Sequence, residues 1–337
     1  MSKLNVAIIF GGDAAECEAS INSAINLIDN LSREKYNILP VYVNALGNYF
    51  LFEGKPHVIR AAEWENFGTK CQINLDRQDR GLLRISGERA KNVPVDIAIP
   101  LLRGGLSGGS LQGALEISGI KYIGADILSD AMAADNVMMK TLAKSLNITC
   151  AKHLIFDTKE LKDFEAMLRS VRYKIGYPCR VKPLKKGLES SVIARNKKEL
   201  EDAILATLLF NDKIIVEKVV LGRELICALL PFGDEIKLSS IGEFLPDGEL
   251  YLSPELGDEV IAKVNDNALK LFSTINAQSP ACLTFIVEEK TGAVIFSDIN
   301  VTLSFSDMDV FPKLIRGLGL GIGEIADELI VDALVRK

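Results

Sequence analysis

Histidine is scarce in this chain of 337 residues: His57 and His153 are the only two, and they lie far apart in the sequence. A zinc site built on imidazoles and a Ser-His-Asp triad both need histidine beside suitable partners, so both are nearly excluded. The six cysteines form no C-x-x-C pair, which also speaks against structural zinc. Scattered thiols of this kind are typical of the reducing cytosol.

Long apolar runs are missing as well. The run at positions 6–10 has five residues and stops at Gly11 and Gly12, which is too short for the core of a signal peptide. No run approaches the roughly 20 apolar residues that span a bilayer. We therefore expect a cytoplasmic protein with no membrane partner.

An excess of basic residues is also lacking, since 39 lysines and arginines stand against 45 acidic residues, for a net charge of −6. Binding of nucleic acid depends on clustered Lys and Arg, so nucleic acid is not expected as the main partner. What is present is the composition of an ordinary globular chain. At roughly 100–200 residues per domain, the length predicts two or three compact units.

Alternating strand and helix patterns fill the first third of the chain. The apolar, β-branched run at 6–10 predicts a buried parallel strand, and 14–31 carries apolar residues on one helical face. Further strands are expected at 38–43 and 97–102, and a helix is expected with Ser110 as its cap. This alternation favours a doubly wound α/β unit.

The rest of the chain combines helices with mostly antiparallel strand patterns. Helices are expected at about 129–146, 160–171, 198–208, 311–318 and 322–335. Strands are expected at 179–184, 190–194, 214–218, 225–230, 237–244, 283–288 and 293–299. Pro246, Asp247 and Gly248 predict a hairpin turn.

Short motifs follow one another along the whole sequence. They are Phe-Gly-Gly at 10–12, Ala-Glu-Cys-Glu-Ala-Ser at 15–20, Gln-Gly at 112–113, Tyr-Ile-Gly at 122–124, Ala-Asp at 134–135, Tyr-Pro-Cys-Arg-Val-Lys-Pro at 177–183, Val-Glu-Lys at 216–218, Gly-Arg-Glu at 222–224, Asp-Ile-Asn at 298–300 and Phe-Pro-Lys at 311–313. No motif is specific alone. In their order and spacing, the chain resembles the D-alanine-D-alanine ligase family of ATP-grasp enzymes, including its D-alanine-D-serine relatives.

The resemblance implies a three-domain ATP-grasp architecture of α/β and α+β class. The expected domains are an N-terminal doubly wound α/β domain at 1–125, a central ATP-grasp domain at 126–214 and a C-terminal α+β ATP-grasp domain at 215–337. In the family's reaction, ATP phosphorylates the carboxylate of one D-alanine, and the amine of a second attacks the acyl phosphate. ATP and Mg²⁺ as cofactors, a homodimer and a role in peptidoglycan precursor synthesis are implied as well.

The resemblance also assigns nucleotide contacts to residues of this chain. Lys182 matches a lysine that contacts phosphate. Glu217 and Lys218 lie where the hinge strand meets adenine, and Glu224 lies where a carboxylate accepts the ribose hydroxyls. Lys140, on the preceding helix, is expected to face the same cleft. Lys182, Glu217 and Glu224 each also have a plain explanation as charged residues at a strand edge.

Substrate and metal contacts are implied at four further positions. Glu18 matches the acid that meets the ammonium of the first substrate, with Ser20 nearby, and Asp298 and Asn300 match metal ligands. The alternative for Glu18 is a carboxylate that complements the dipole at the start of its helix.

Other parts of the family's equipment are substituted. The family pattern Arg-x-Asp, followed thirteen residues later by Glu-x-Asn, falls by spacing on Leu283, Phe285, Asp298 and Asn300. A phosphate-contacting lysine becomes Asn136. Two loops are also altered: the loop over the γ-phosphate at 187–191, and the substrate loop at 103–109, which begins with an arginine in place of histidine.

Three functions follow as alternatives. One is a ligase that joins D-amino acids with ATP and Mg²⁺, although the substitutions predict weak or lost ligation. The second is a non-catalytic relative that binds a nucleotide, a small ligand or a partner protein. The third is an ATP-grasp enzyme with a different carboxylate substrate, which Arg103 favours because a guanidinium binds acidic groups.

Overall fold

The protein is described by a computed structural model that covers residues 3–12, 14–52, 64–103, 109–184, 191–209, 212–233 and 235–336. The ordered strands of these residues form three sheets. None of the helices in the described ranges has the length and apolar character needed to cross a bilayer.

The first sheet is built around the strand that follows the N-terminus. Its strands are β1 (Leu4–Gly11), β2 (Tyr36–Val43), β3 (Tyr49–Leu51), β4 (Thr69–Asn74), β5 (Gly81–Ser86), β6 (Arg89–Pro94), β7 (Ile97–Pro100) and β8 (Lys121–Tyr122). Their order is β6-β5-β4-β3-β2-β1-β7-β8. Strands β2, β1, β7 and β8 are parallel, as the α/β pattern predicts, and β3 to β6 add an antiparallel arm.

Helices cover the parallel part of this sheet. They include α1 (Ala14–Asn30) and α3 (Ser110–Ser118), while the short helix α2 (Trp64–Phe67) directly precedes β4. Ser110 is not the cap of α3, contrary to the sequence prediction. The cap is Gly109 at φ 89°, a left-handed conformation that glycine adopts without steric cost.

The segment predicted as one helix at 129–146 is two helices, α4 (Ile127–Ala134) and α5 (Asn136–Ser145). Asp135 separates them in extended conformation, and its side chain accepts hydrogen bonds from the backbone N–H groups of Val137 and Met138 at 2.8 and 2.9 Å. A capping carboxylate satisfies backbone donors that have no helical partner, so Asp135 starts a new helix.

The second sheet has four antiparallel strands in the order β11-β10-β12-β9. The strands are β9 (His153–Asp157), β10 (Cys179–Pro183), β11 (Val192–Ala194) and β12 (Lys213–Lys218), and helices α6 (Phe164–Lys174) and α7 (Lys197–Leu208) pack on one face. The boundary expected at residue 214 lies inside β12, which pairs with both β10 and β9.

The third sheet has the order β16-β15-β13-β17-β18, with β14 beside β13. Its strands are β13 (Gly222–Phe232), β14 (Glu235–Leu238), β15 (Gly242–Phe244), β16 (Leu250–Leu252), β17 (Ala281–Glu288) and β18 (Val294–Asn300). Its helices are α8 (Asp258–Thr274), α9 (Val310–Ile315) and α10 (Ile322–Val335). The hairpin predicted around Pro246 is present between β15 and β16.

Two apolar cores hold the third sheet in place. Leu283 and Phe296 belong to a core under α8 and α5. The opposite face of β13, through Ile226 and Leu230, joins α9 and α10 to β1 and α1 in one continuous core. The first and third sheets are therefore packed together by the last part of the chain.

Candidate nucleotide and substrate site

A buried cluster of charges connects α5 with the second sheet. Lys182 Nζ on β10 lies 2.6 Å from Glu217 Oε1 on β12, and Lys140 Nζ on α5 lies 3.0 Å from Glu217 Oε2. The three side chains are only 14%, 7% and 2% exposed for Lys182, Glu217 and Lys140, respectively. Two cations therefore share one buried carboxylate, which leaves positive charge in the cleft.

Strand periodicity places these groups on the cleft side. Along β10, Cys179, Val181 and Pro183 are buried, with Cys179 and Val181 in the core beneath α6 and α7. The alternate residues Arg180 and Lys182 project from the other face. The same register sets Arg180 directly opposite Glu217 on β12.

The ion pairs control the titration of Glu217. Burial alone raises the pKa of this carboxyl, but the neighbouring charges of Lys140 and Lys182 outweigh it and hold the pKa below its ordinary value. The carboxylate is therefore ionised at neutral pH, although it is almost inaccessible to water.

Two polar atoms in this cluster have no hydrogen-bond partner. The Oε2 atom of Glu217 has the distance of an ion pair to Lys140 but lacks hydrogen-bond geometry, and the buried Nε atom of Arg180 also has no partner. Both residues line one pocket with Lys218, Ile286 and Ile295. The charge of Glu217 is nevertheless balanced by Lys140, whereas a buried charged donor without an acceptor carries a desolvation cost, so the Nε atom of Arg180 is suited to a bound ligand.

Lys218 and Glu224 lie at the rim of this pocket. Lys218 is exposed, and its backbone N–H donates to the carbonyl of Lys152 at 2.8 Å. Glu224 is exposed on β13 directly opposite Ile286, so the two side chains project from the same face of the sheet. The structure thus brings Lys140, Lys182 and Glu217 into contact and leaves Lys218 and Glu224 at the edge.

A second cavity, of about 260 Å³, lies along β17 and β18. Cys282 pairs with Asn300, and Thr284 pairs with Asp298, so these four side chains share one face. Arg103, at the end of the first sheet, reaches the same cavity. One guanidinium, the two carboxylates of Asp298 and Asp309, and several neutral groups therefore meet here.

The interpretation that Leu283 and Phe285 occupy the metal and oxyanion positions is wrong. Both side chains are fully buried in the core, where Phe285 packs against Phe296 with ring centroids 5.8 Å apart. A bulge between Thr284 and Phe285 shifts the register. Because neighbouring residues of a strand face opposite sides, a shift of one residue exchanges core and cleft. The cleft positions are Cys282 and Thr284, which supply neither an arginine nor a carboxylate.

The donor set in this cavity does not fit a pair of Mg²⁺ ions. The described part of the chain contains no cluster of three or more His, Cys, Asp or Glu side chains that could hold a metal. The side-chain oxygen of Asn300 already accepts the backbone N–H of Thr302 at 2.9 Å. Magnesium requires nearly octahedral oxygen ligation. Asp298 supplies one carboxylate, and the carboxylate of Asp309 is already bound by Arg103 and Ser304, so too few charged oxygens are left for two ions.

The residues predicted near the first substrate lie on α1. Ser20 is fully buried: its Oγ atom accepts from the N–H of Gly11 at 2.8 Å and donates to the carbonyl of Leu101 at 2.7 Å. It thereby joins α1 to the ends of β1 and β7. Glu18 is exposed, whereas Glu16 in the first turn of α1 is half-buried.

The sequence analysis missed Arg180 and took Asn136 only as a lost cation. The Nδ2 atom of Asn136 donates to the carbonyl of Leu184 at 3.4 Å and so fastens the start of α5 to the end of β10. The signal for Arg180 was available, since a charged residue two positions before Lys182 on a strand must share its face. The altered loops at 187–190 and 104–108 lie outside the described residues.

A larger cavity of about 610 Å³ lies elsewhere, between the first sheet and α10. Two of its arginines have structural partners: Arg77 donates to the carbonyls of Glu116 and Ile117, and Arg336 is bound to Asp332. The buried cluster of Lys140, Lys182 and Glu217, together with the unpartnered Nε atom of Arg180, marks the smaller cleft as the better candidate.

Comparison with known proteins shows which family the chain resembles over its whole length. A family model described as D-ala D-ala ligase N-terminus matches residues 5–125, and one described as D-ala D-ala ligase C-terminus matches residues 142–331. The D-alanine--D-alanine ligase of Caldicellulosiruptor bescii is 31% identical, over 100% of this chain and 97% of that protein. The corresponding protein of Thermoanaerobacter pseudethanolicus is 29% identical, over 98% of this chain and 96% of its own length.

Solved structures give the same result for the fold. The VanG D-Ala:D-Ser ligase from Enterococcus faecalis aligns with a TM-score of 0.89 at 23% identity, covering 98% of this chain and 100% of that one. A D-alanine--D-alanine ligase from Bacillus anthracis complexed with ATP aligns at 0.74 and 21% identity, covering 98% and 97%. These likenesses establish an ATP-grasp fold. Since the two family models together span most of the sequence, the chain belongs to the D-alanine-D-alanine ligase family.

Proposed function

We propose that the protein binds ATP in the cleft between the second and third sheets and ligates D-amino acids only slowly. The observation that supports nucleotide binding is the buried cluster of Lys140, Lys182 and Glu217, whose net charge is positive and which lies beside the unpartnered Nε atom of Arg180. Lysines that share one carboxylate retain charge for phosphate oxygens.

Each residue of the cleft has a role in this proposal. Lys140 and Lys182 hold phosphate oxygens, Glu217 and Lys218 meet the base, and Glu224 at the rim accepts the ribose hydroxyls. ATP would supply the phosphoryl group that activates a carboxylate. The walls formed by Ile286 and Ile295 exclude water from the base.

Slow ligation follows from the second cavity. Cys282 and Thr284 stand on the cleft face where the family pattern has an arginine and a metal-binding carboxylate. Loss of one donor to a developing oxyanion typically reduces the rate by about 10²–10³. Asp298 and Asn300 remain the proposed positions for Mg²⁺, although the donor set around them is incomplete.

Incubation of the pure protein with ATP, Mg²⁺ and D-alanine tests this proposal. We expect ATP to raise the melting temperature by mass action, and dipeptide to form far more slowly than the order of 1 s⁻¹. Phosphate release and dipeptide are measured together. Absence of a thermal shift at millimolar ATP contradicts nucleotide binding, and turnover near 1 s⁻¹ contradicts slow ligation.

A double variant, Cys282→Arg with Thr284→Asp, tests whether the missing arginine and carboxylate cause the slow ligation. It restores both groups on the cleft face, so dipeptide formation is expected to rise by about tenfold or more. Each single substitution is expected to raise the rate of dipeptide formation by less than its share of the double variant's increase, because the effects of residues that act together on catalysis are not additive.

Arg103 supports a second candidate, a ligase for an acidic substrate. Its Nη2 atom lies 2.9 Å from Asp309 Oδ2, while its buried Nε atom has no partner, and the side chain lines the cavity of Asp298. D-Aspartate and D-glutamate tested in place of D-alanine should then release phosphate faster, and Arg103→Met should remove that preference. Equal rates for acidic and neutral substrates contradict this candidate.

The remaining assignments rest on the family. We place the protein in the cytoplasm, in peptidoglycan precursor synthesis, as a homodimer. Sedimentation equilibrium of the purified chain measures the oligomeric state.

A further inference from the structure

We propose that the cavity of about 610 Å³ between the first sheet and α10 binds a phosphorylated sugar. This site is separate from the nucleotide cleft, and the inference does not depend on the proposed function. It comes from two neighbouring arginines with unused donors and from further polar side chains that line the same cavity.

The two arginines converge on one part of the cavity wall. Arg77 and Arg80 both lie in the segment between β4 and β5, and both line the cavity. A Cβ atom built on Gly119 would lie 3.6 Å from Nε of Arg80 and 3.7 Å from Nε of Arg77, so the two guanidinium groups are neighbours. Like charges repel each other at short range, and an anion bound between them offsets that repulsion.

Both arginines have donors to spare. Arg77 is held in place, since its Nε donates to the carbonyl of Ile117 at 3.1 Å and its Nη2 to the carbonyl of Glu116 at 2.8 Å. These bonds leave Nη1 of Arg77 unused, and the guanidinium of Arg80 has no ion pair or hydrogen bond to any other described residue. Guanidinium groups bind phosphate oxygens through paired N–H donors, and the fixed position of Arg77 prepares the site for that contact.

The charges around the cavity also favour an anion. Four cations stand against two carboxylates among the lining residues, namely Arg77, Arg80, Lys121 and Arg336 against Glu116 and Asp126. Arg336 is balanced by Asp332, and Lys121 donates to the backbone carbonyl of Arg336. The excess of positive charge is therefore left at the arginine pair, although the chain as a whole has a net charge of −6.

The size of the cavity implies that the ligand is more than a phosphate ion. Its volume lies within the range of small-molecule sites, about 300–1,000 Å³. Apolar side chains contribute little to its lining, which has only Ile120, Ala333 and the ring of Tyr122 to offer. An apolar body would gain little from these walls, so the organic part of the ligand is hydrophilic.

Two lining side chains have the chemistry that binds hydroxyl groups. The carboxylate of Asp126 accepts from the N–H and the Oγ of Ser129 through Oδ1, at 2.7 Å in both cases, which leaves Oδ2 unused. The side-chain amide of Gln278 has no hydrogen bond to another described residue. A carboxylate oxygen accepts from a hydroxyl, and an amide both donates and accepts. A sugar supplies several hydroxyls on one small body, so a sugar phosphate fits both parts of the cavity.

Calorimetric titration of the full chain with glucose 1-phosphate and glucose 6-phosphate tests this inference, with inorganic phosphate and glucose as reference ligands. At least one sugar phosphate should bind about tenfold or more tightly than inorganic phosphate, because contacts to hydroxyls add to those of the phosphate. Arg80→Met should weaken binding of that sugar phosphate by about tenfold or more, the effect of a lost charged donor, and should leave the affinity for ATP unchanged. Since Arg80 is exposed, this substitution removes the donor without disturbing the core.

Two further variants separate the phosphate contact from the sugar contact. Gln278→Leu should weaken binding of the sugar phosphate but not of inorganic phosphate. Arg169→Met, at an exposed arginine of α6, should leave both affinities unchanged, and melting curves establish that each variant is folded.

Three results would overturn the inference. They are failure of both sugar phosphates to bind at millimolar concentration, binding that Arg80→Met does not weaken, and equal affinities for the sugar phosphates and inorganic phosphate. If the sugar phosphate binds as expected while ATP does not bind at all, the proposed function fails and this site stands.

Discussion

Glu217→Gln will lower the free energy of unfolding by about 3–5 kcal/mol. The substitution keeps the shape of the side chain but leaves the ammonium groups of Lys140 and Lys182 buried without a counter-charge. Breaking a buried pair by removing one partner costs far more than the pair contributes as a whole, because the desolvation of the remaining charge is no longer offset. Urea denaturation followed by circular dichroism measures the change.

The effect will depend on pH in a defined direction. The pKa of Glu217 is lower in the folded protein than in the unfolded chain, because the charges of Lys140 and Lys182 outweigh the effect of burial. Its contribution to stability is thus fully present above the ordinary glutamate pKa and is lost as the pH falls through the lowered value. The stability difference between Glu217→Gln and the unchanged protein should therefore narrow in acid.

Glu165→Gln is the matched control for this variant. Glu165 pairs with Lys197 at 2.9 Å, but the side chains are 62% and 55% exposed. Exposed pairs contribute little, so the free energy of unfolding should change by less than about 1 kcal/mol. A similar loss in both variants, or a pH-independent loss in Glu217→Gln, contradicts the buried cluster.

Phe285→Asp will prevent stable folding, whereas Thr284→Asp will be tolerated. Phe285 is fully buried against Phe296, and removal of a core phenylalanine alone costs about 3–5 kcal/mol. A carboxylate in that core adds the cost of an unpaired buried charge. Thr284 lies in the cleft opposite Asp298, where a second carboxylate adds only like-charge repulsion, on the order of 1 kcal/mol.

Melting temperatures and the soluble yield of the two variants measure this difference. The two variants test which residues of β17 face the core, since Thr284 and Phe285 are adjacent in the sequence and their side chains project from opposite faces of the sheet. If Phe285→Asp folds as well as Thr284→Asp, the assignment of Phe285 to the core is refuted.

The sequence predicts the parts of the fold in which side-chain pattern and backbone agree. The apolar run of β1, the one-sided helix α1 and the turn around Pro246 are all present. The break at Asp135 was missed because the hydrophobic spacing continues across it, and only the capping bonds show that two helices are present. The antiparallel arm of the first sheet was missed because strands such as β6 are largely exposed and lack an apolar alternation.

The candidate site was predictable where one strand or helix fixes the direction of a side chain. The alternation of buried and exposed residues along β10 places Lys182 in the cleft. Its ion pair with Glu217 can be predicted once β12 is known to lie beside β10. The assignment of Leu283 and Phe285 failed because spacing along a sequence does not reveal a bulge. The Nε atom of Arg180 has no partner because Lys140 and Lys182 bind the nearby carboxylate of Glu217. Which cation binds that carboxylate depends on the folded structure and cannot be read from the sequence.

The shared core of α1, β1 and α10 has a consequence for synthesis on the ribosome. Phe305 donates its N–H to Ser23 Oγ at 2.8 Å across 282 positions of the chain, and Leu329 and Ile330 of α10 belong to the same core as Ile8 and Leu27. Contacts so distant in sequence form late and slowly. Part of the apolar surface of α1 and β1 is covered only by α10, so we expect it to stay exposed on the ribosome until residues near 330 have been translated. Exposed apolar surface promotes aggregation, so we expect binding of chaperones to favour folding of this chain.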